Sequence, residues 1–192
     1  MAPNPAPQTL RTHYRRTALN LVGQGLFRLR VTSDSMAPLL RPGDQVVVQP
    51  LPEHSLQDGD LVVVRPASPD ALPVTHRLVR RSSQGWYTKG DSSLYLDGLL
   101  AEKDILGRVL AVERQGKRLD LQSRRWRLAN GWLGRSGWWQ ARVFEFTHRL
   151  AGSSPTGGRS SFRPVYVLLV WVFSGILLAP TRLLARLLAR KW

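Results

Sequence analysis

Gln45–Gln49 (QVVVQ) and residues 61–65 (LVVVR) are the stretches on which the fold turns. Both are β-branched runs, and each follows a turn signature: Pro42-Gly43-Asp44 before the first and Asp58-Gly59-Asp60 before the second. Outward from them, residues 74–79 (VTHRLV), 85–88 (GWYT) and Ile105–Arg114 (ILGRVLAVER) share the same strand-forming character, punctuated by Gly90-Asp91 and Gln115-Gly116. Short strands separated by turns, with few helical periods among them, predict a mainly β fold, a small barrel or layered sheet over 29–120.

The 192 residues are 43% hydrophobic and 21% charged, enough apolar material for one modest domain with an appendage. Cysteine is absent, which excludes a disulfide scaffold, a thiolate metal site and a cysteine nucleophile. His13, His54, His76 and His148 lack ligand spacing, so no metal and no cofactor is expected. The net charge of +15 is unevenly spread: residues 1–120 carry 16 Lys/Arg against 12 Asp/Glu, and 121–192 carry 12 against the single Glu145. Six of the seven Trp also lie beyond residue 120. Because that positive charge is interleaved with Leu and Trp, the expected partner is anionic membrane lipid and not nucleic acid.

The chain divides accordingly. Residues 1–28 form a flexible start with a weak apolar face (Leu19, Leu21, Val22, Leu26, Phe27) interrupted by Gly23 and Gly25, too short for a signal peptide or a span. After the β domain, 121–150 is a basic, Trp-rich helical region broken by glycines, with Trp126, Trp132, Trp139, Val143 and Phe146 recurring near one face. Residues 151–163 are a linker by composition (GSSPTGGRSS). Residues 164–180 (PVYVLLVWVFSGILLAP) hold 17 residues without a charge, a candidate transmembrane or membrane-inserted helix of about 25 Å. The tail 181–192 (TRLLARLLARKW) sets Arg182, Arg186 and Arg190 four apart, opposite Leu183, Leu184, Leu187 and Leu188, as a basic amphipathic helix for an anionic surface.

Three segments supply the parts of a nucleophile–base–orienter relay. Ser35 lies in VTSDSMAP (31–38), just before the first strand, where a hydroxyl becomes a nucleophile only with a base in reach. His76 stands mid-strand in VTHRLV, and Thr88-Lys89-Gly90-Asp91-Ser92-Ser93 followed by Asp97 supplies carboxylates after a tight turn. Lys89 is the rival base; beside Gly90-Asp91 it reads as a polar-turn lysine that stays charged, whereas a neutral imidazole is competent around neutral pH.

SDSMAPLLRPGDQVVV, DGDLVVVR, THRLVRR, WYTKGDSS…D and DILGRVLAV occur in an order that resembles type I signal peptidases, the S26 serine peptidases, over about 29–114. Within that family the chain is similar to the archaeal and endoplasmic-reticulum branch, which carries His at the base position, and not to the bacterial Ser–Lys branch. The resemblance implies Ser35 as nucleophile, His76 as general base and Asp97 as the group that orients the imidazole. It implies Ser33 as an oxyanion donor together with the Ser35 N–H, and Asp91 as a supporting carboxylate or a turn cap. Met36 and Pro38 are expected to shape the loop and the substrate groove. The implied activity is a membrane-associated serine endopeptidase that cleaves a signal or leader peptide in a preprotein, bound extended along a strand edge.

Asp34 stands between the two serines, where relatives carry a small residue, and Ser92-Ser93 replace that branch's paired asparagines. The anchor also differs: the family's span is N-terminal, whereas the candidate here is C-terminal. Two alternatives follow, a maturation protease acting on the cytoplasmic side or a catalytically inactive membrane-bound accessory protein. A LexA-like regulator shares a related fold, but glycine-interrupted residues 1–30 do not read as a helix-turn-helix unit.

Overall fold

A computed structural model describes residues 25–50, 56–65 and 72–152. Its strands are β1 (Phe27–Arg30), β2 (Gln45–Gln49), β3 (Leu61–Val64), β4 (Val74–Ser82), β5 (Gly85–Lys89), β6 (Leu99–Leu100), β7 (Ile105–Arg114) and β8 (Lys117–Asp120). They pair antiparallel in one eight-stranded sheet of order β1-β2-β7-β3-β4-β5-β6. The long β7 is its axis. One of its edges takes β2; the other takes β3 along its first half and β8 along its second. The sequence expectation of a mainly β domain is met by this sheet, which is followed by helix α1 (Arg124–Gly152).

The valine runs are buried on both sides, and strand alternation explains why they read as runs. Leu61 and Val63 of β3 enter the larger core with Val46, Val48, Met36, Leu39, Leu40 and Trp126, whereas Val62 enters a smaller one with Leu78, Trp86 and Ile105. Close approach of β2 to β7 needs Gly107, where a Cβ would lie 2.6 Å from the Gln49 carbonyl oxygen. The Gln115-Gly116 turn joins β7 to β8 with positive φ at both residues, 49° and 77°, the combination a two-residue primed hairpin turn requires.

Three sequence expectations change. Phe27 and Arg28, read as the end of a flexible start with a weak apolar face, open the strand Phe27–Arg30, whose Phe27 fills the larger core. The glycines of 121–150 do not break the helix, which runs unbroken for 29 residues and takes in Ala151 and Gly152 of the expected linker. They are the docking face. A Cβ on Gly134 would lie 2.7 Å from the Gly59 backbone nitrogen and 3.0 Å from the Leu78 carbonyl oxygen, so only a bare backbone lets α1 reach β4. Finally, the aromatic residues do not share one face: Trp126 is buried, while Trp132, Trp139 and Phe146 are exposed. Residues 1–24, most of the expected linker, the candidate span at 164–180 and the tail at 181–192 lie outside the described residues. Among the described residues no helix is long and apolar enough to cross a membrane.

The Asp58-Gly59-Asp60 turn is clamped between β4 and α1. Gly59 N–H donates to the Leu78 carbonyl at 2.7 Å and Leu78 N–H to the Asp60 carbonyl at 2.8 Å. Gly59 has φ +97°, and a Cβ there would lie 2.1 Å from the Asn130 carbonyl oxygen of α1. Gly59→Ala is therefore expected to cost about 3 kcal/mol or more in urea unfolding, from backbone strain plus a displaced helix. Gly116→Ala, at positive φ but with nothing within 4 Å, should cost only about 1–2 kcal/mol. Burial pushes the Asp60 carboxyl above its ordinary 3.8, outweighing the Gln57 N–H and Arg108, which lower it. The folded chain then holds that proton more tightly than the unfolded one, so this group's contribution to stability falls as pH rises from about 3.8 through the raised value. Asp60→Asn should flatten that part of the stability–pH curve.

Candidate active site

β4 and the loop after β5 bring the expected residues together. Because adjacent strand residues face opposite sides, His76 shares a face with Leu78, and Arg77 shares the other with Val79. His76 Nε2 lies 3.3 Å from Ser35 Oγ, and its Nδ1 lies 2.5 Å from Asp97 Oδ2. Thr88 Oγ1 donates to the same Asp97 oxygen at 3.0 Å, and Asp97 N–H donates to the Thr88 carbonyl at 2.9 Å, which fixes the carboxylate's approach. Ser33 Oγ lies 3.2 Å from Ser35 Oγ. Ser35, His76, Asp97 and Ser33 thus form one continuous hydrogen-bonded line drawn from distant points of the chain.

The Ser35 loop is held from two directions. Met36, the next residue, is buried in the larger core, so its role is to anchor the loop. Ser92 donates its N–H at 2.9 Å and its hydroxyl at 2.8 Å to the Ser35 carbonyl, and the hydroxyl also reaches the Asp34 carbonyl at 3.2 Å. Gly90 permits that approach: a Cβ there would lie 2.8 Å from the Ser35 carbonyl oxygen and 3.4 Å from His76 Nε2. Asp34 itself is exposed, where water screens its charge. Sequence reasoning noted Ser92 only as a replaced asparagine; its role depends on a contact 57 residues away in the chain.

Asp91 is not in the hydrogen-bonded line. Its two carboxylate oxygens take a bidentate pair of bonds from Arg77 Nε and Nη2, both at 2.7 Å. Arg77 Nη1 donates to the Gly59 carbonyl at 2.9 Å and to Asn130 Oδ1 at 2.8 Å. Only 1% of the Arg77 side chain is exposed, so these bonds replace its water. Neither Arg77 nor Asn130 was singled out from the sequence, although an arginine beside a mid-strand histidine must face the opposite side. Lys89 corrects an expectation: it is a buried β5 residue, not a solvated turn lysine, and its Nζ donates to the Gly90 carbonyl at 3.3 Å. Opposite Arg77 in register, it points to the face away from His76.

Pro38 is partly buried beside Met36 and Leu39. His148 is an exposed residue of α1, 6.0 Å ring to ring from Phe144, and His13 and His54 lie outside the described residues. Among the described residues no group of three or more His, Asp or Glu could hold a metal ion.

A family model described as Peptidase S24-like matches residues 2–110, more than half of the chain. The chain belongs to the Peptidase S24-like family. No curated protein matches it significantly. Membership supports a serine-peptidase-type hydrolase on a peptidase-like β fold. The match takes in every residue of the Ser35–His76–Asp97 line and stops within β7, so β8 and α1 of this S24-like chain lie beyond it.

The Arg77 network makes a separate forecast. Arg77→Met strands the Asp91 carboxylate and is expected to cost about 3–5 kcal/mol in chemical unfolding. Asn130→Ala, which leaves the Arg77–Asp91 pair intact, should cost about 1–3 kcal/mol.

Proposed function

We propose that the chain is a serine endopeptidase of the signal peptidase I type, membrane-associated, which cuts an extended signal or leader peptide. The observation that carries this reading is the Ser35 Oγ–His76 Nε2–Asp97 line, with 3.3 Å and 2.5 Å at its two links. In this mechanism Ser35 Oγ bonds to the scissile carbonyl carbon as its proton passes to His76 Nε2. Asp97, held by Thr88, keeps Nδ1–H aimed away from the nucleophile and stabilises the imidazolium. Ser33 Oγ and the Ser35 N–H donate to the developing oxyanion. The carbon–nitrogen bond then breaks as His76 returns the proton to the departing amine, and water hydrolyses the acyl-enzyme by the same relay.

The preference for His76 over Lys89 rests on the strand faces: Lys89 packs toward α1, with its Cδ 3.8 Å from the position of a Cβ on Gly137. Membrane association is supported by the uncharged run at 164–180 and the basic tail that follows.

Intact mass after incubation with a serine-reactive lipopeptide or β-lactam-type probe tests the relay. A single adduct is expected on the wild type and none on Ser35→Ala. His76→Ala and Asp97→Ala should slow acylation by on the order of 10³–10⁴-fold. An adduct that His76→Ala leaves unchanged and Lys89→Ala abolishes would transfer the base role to the lysine. No adduct from folded protein, with probes of several side-chain sizes, would make the chain an inactive accessory protein.

A further inference from the structure

Helix α1 buries one face and exposes an opposite one that is also apolar. At about 100° per residue, Leu133, Gly137 and Ala141 turn inward, and Leu128, Trp132, Trp139 and Phe146 fall in a stripe on the far side. Those four are 69%, 45%, 65% and 62% exposed. From Leu128 to Phe146 the stripe is about 27 Å long. Scattered exposed hydrophobic residues are ordinary on a protein surface; four large ones aligned along one helix mark a place where something docks.

Charge and shape identify the partner. The helix carries Arg124, Arg125, Arg127, Arg135, Arg142 and Arg149 against the single acid Glu145. Arg135 and Arg142 are exposed and border the stripe, and Arg142 lies 5.6 Å over the Trp138 ring while bonding Glu145 at 3.0 Å. Tryptophan rings with arginines at their flank suit the headgroup level of a bilayer, where apolar bodies sink and cationic heads meet phosphate. Eleven residues separate the end of α1 from the uncharged run at 164–180, a reach of at most about 40 Å. On the inner side of the helix, about 160° round from the stripe, Phe144 packs edge-on against Tyr95 at 4.8 Å, in the loop that carries Asp97.

We propose that the Leu128–Trp132–Trp139–Phe146 face of α1 seats the domain on an anionic lipid surface, with the helix itself between that surface and the loop that carries Asp97. This rests on the membrane-associated reading above, and it adds a second contact made by the domain itself.

The chain has no cysteine, so a single introduced one carries a fluorophore uniquely. Full-length Leu128→Cys, Ser174→Cys and Lys117→Cys, each labelled with an environment-sensitive dye, are mixed with vesicles of neutral phosphatidylcholine or of phosphatidylcholine with phosphatidylglycerol. The Leu128 label should shift to the blue and be quenched by spin-labelled lipid in anionic vesicles, more than in neutral ones, while the Lys117 label stays in water. Trp139→Gln with Phe146→Gln should abolish the Leu128 shift and leave the Ser174 signal intact. A Leu128 label that stays wet while Ser174 inserts overturns the proposal and leaves the membrane reading standing. Both labels staying wet overturns both. A Leu128 label already shifted without vesicles shows the face covered by residues 153–192 or a second copy, and equal shifts in neutral and anionic vesicles remove the role of the arginines; either result overturns the proposal as stated.

Discussion

The buried guanidinium of Arg77 is the interaction on which the rest of the molecule depends. Removing it from water is costly, and the cost is offset only because four short hydrogen bonds meet its planar fork. Those bonds end on Asp91 after β5, on the Gly59 turn before β3 and on Asn130 of α1. One side chain therefore sets the spacing of the site loop, a core strand and the helix. Because Arg77 follows His76 on β4, whatever fixes its position also fixes the strand that presents the imidazole.

Around that centre, polar and apolar restraints divide the work. The nucleophile loop is pulled inward by Met36 and tied sideways by Ser92, while the absence of a side chain at Gly90 lets the two loops touch. Asp97 receives Thr88 from one side and faces His76 on the other, so its carboxylate has little rotational freedom left to lose when a substrate binds. These are backbone and small-side-chain devices, cheap in sequence and specific in geometry. They account for a serine and a histidine 41 positions apart meeting within hydrogen-bonding range.

Helix α1 connects this site to the chain's basic half. Its glycines, which lower intrinsic helix propensity, are tolerated because they let the backbone approach the Gly59 turn and β4. Burial of Trp126 and Leu133 on that inner side then supplies the packing that holds the helix in place. The same helix turns Leu128, Trp132, Trp139 and Phe146 outward, so one element supports the strand that carries His76 and presents a surface of its own.

Much was legible in the sequence by itself. The valine runs and their glycine turns determined a β domain, because β-branched residues and positive-φ turns act locally. The order of the Ser35, His76 and Asp97 segments, through its resemblance to the signal peptidases, pointed to which residues to bring together. The strand at Phe27–Arg30 was not legible, because four residues carry too short a period and Phe27 acquires its meaning only by pairing with β2. Nor could local pattern separate a glycine that breaks a helix from one that docks it, or a solvated Lys89 from a buried one. Those outcomes depend on what lies across the contact, in residues distant along the chain. Tertiary structure alone decided them, since desolvation and close packing are properties of neighbours in space.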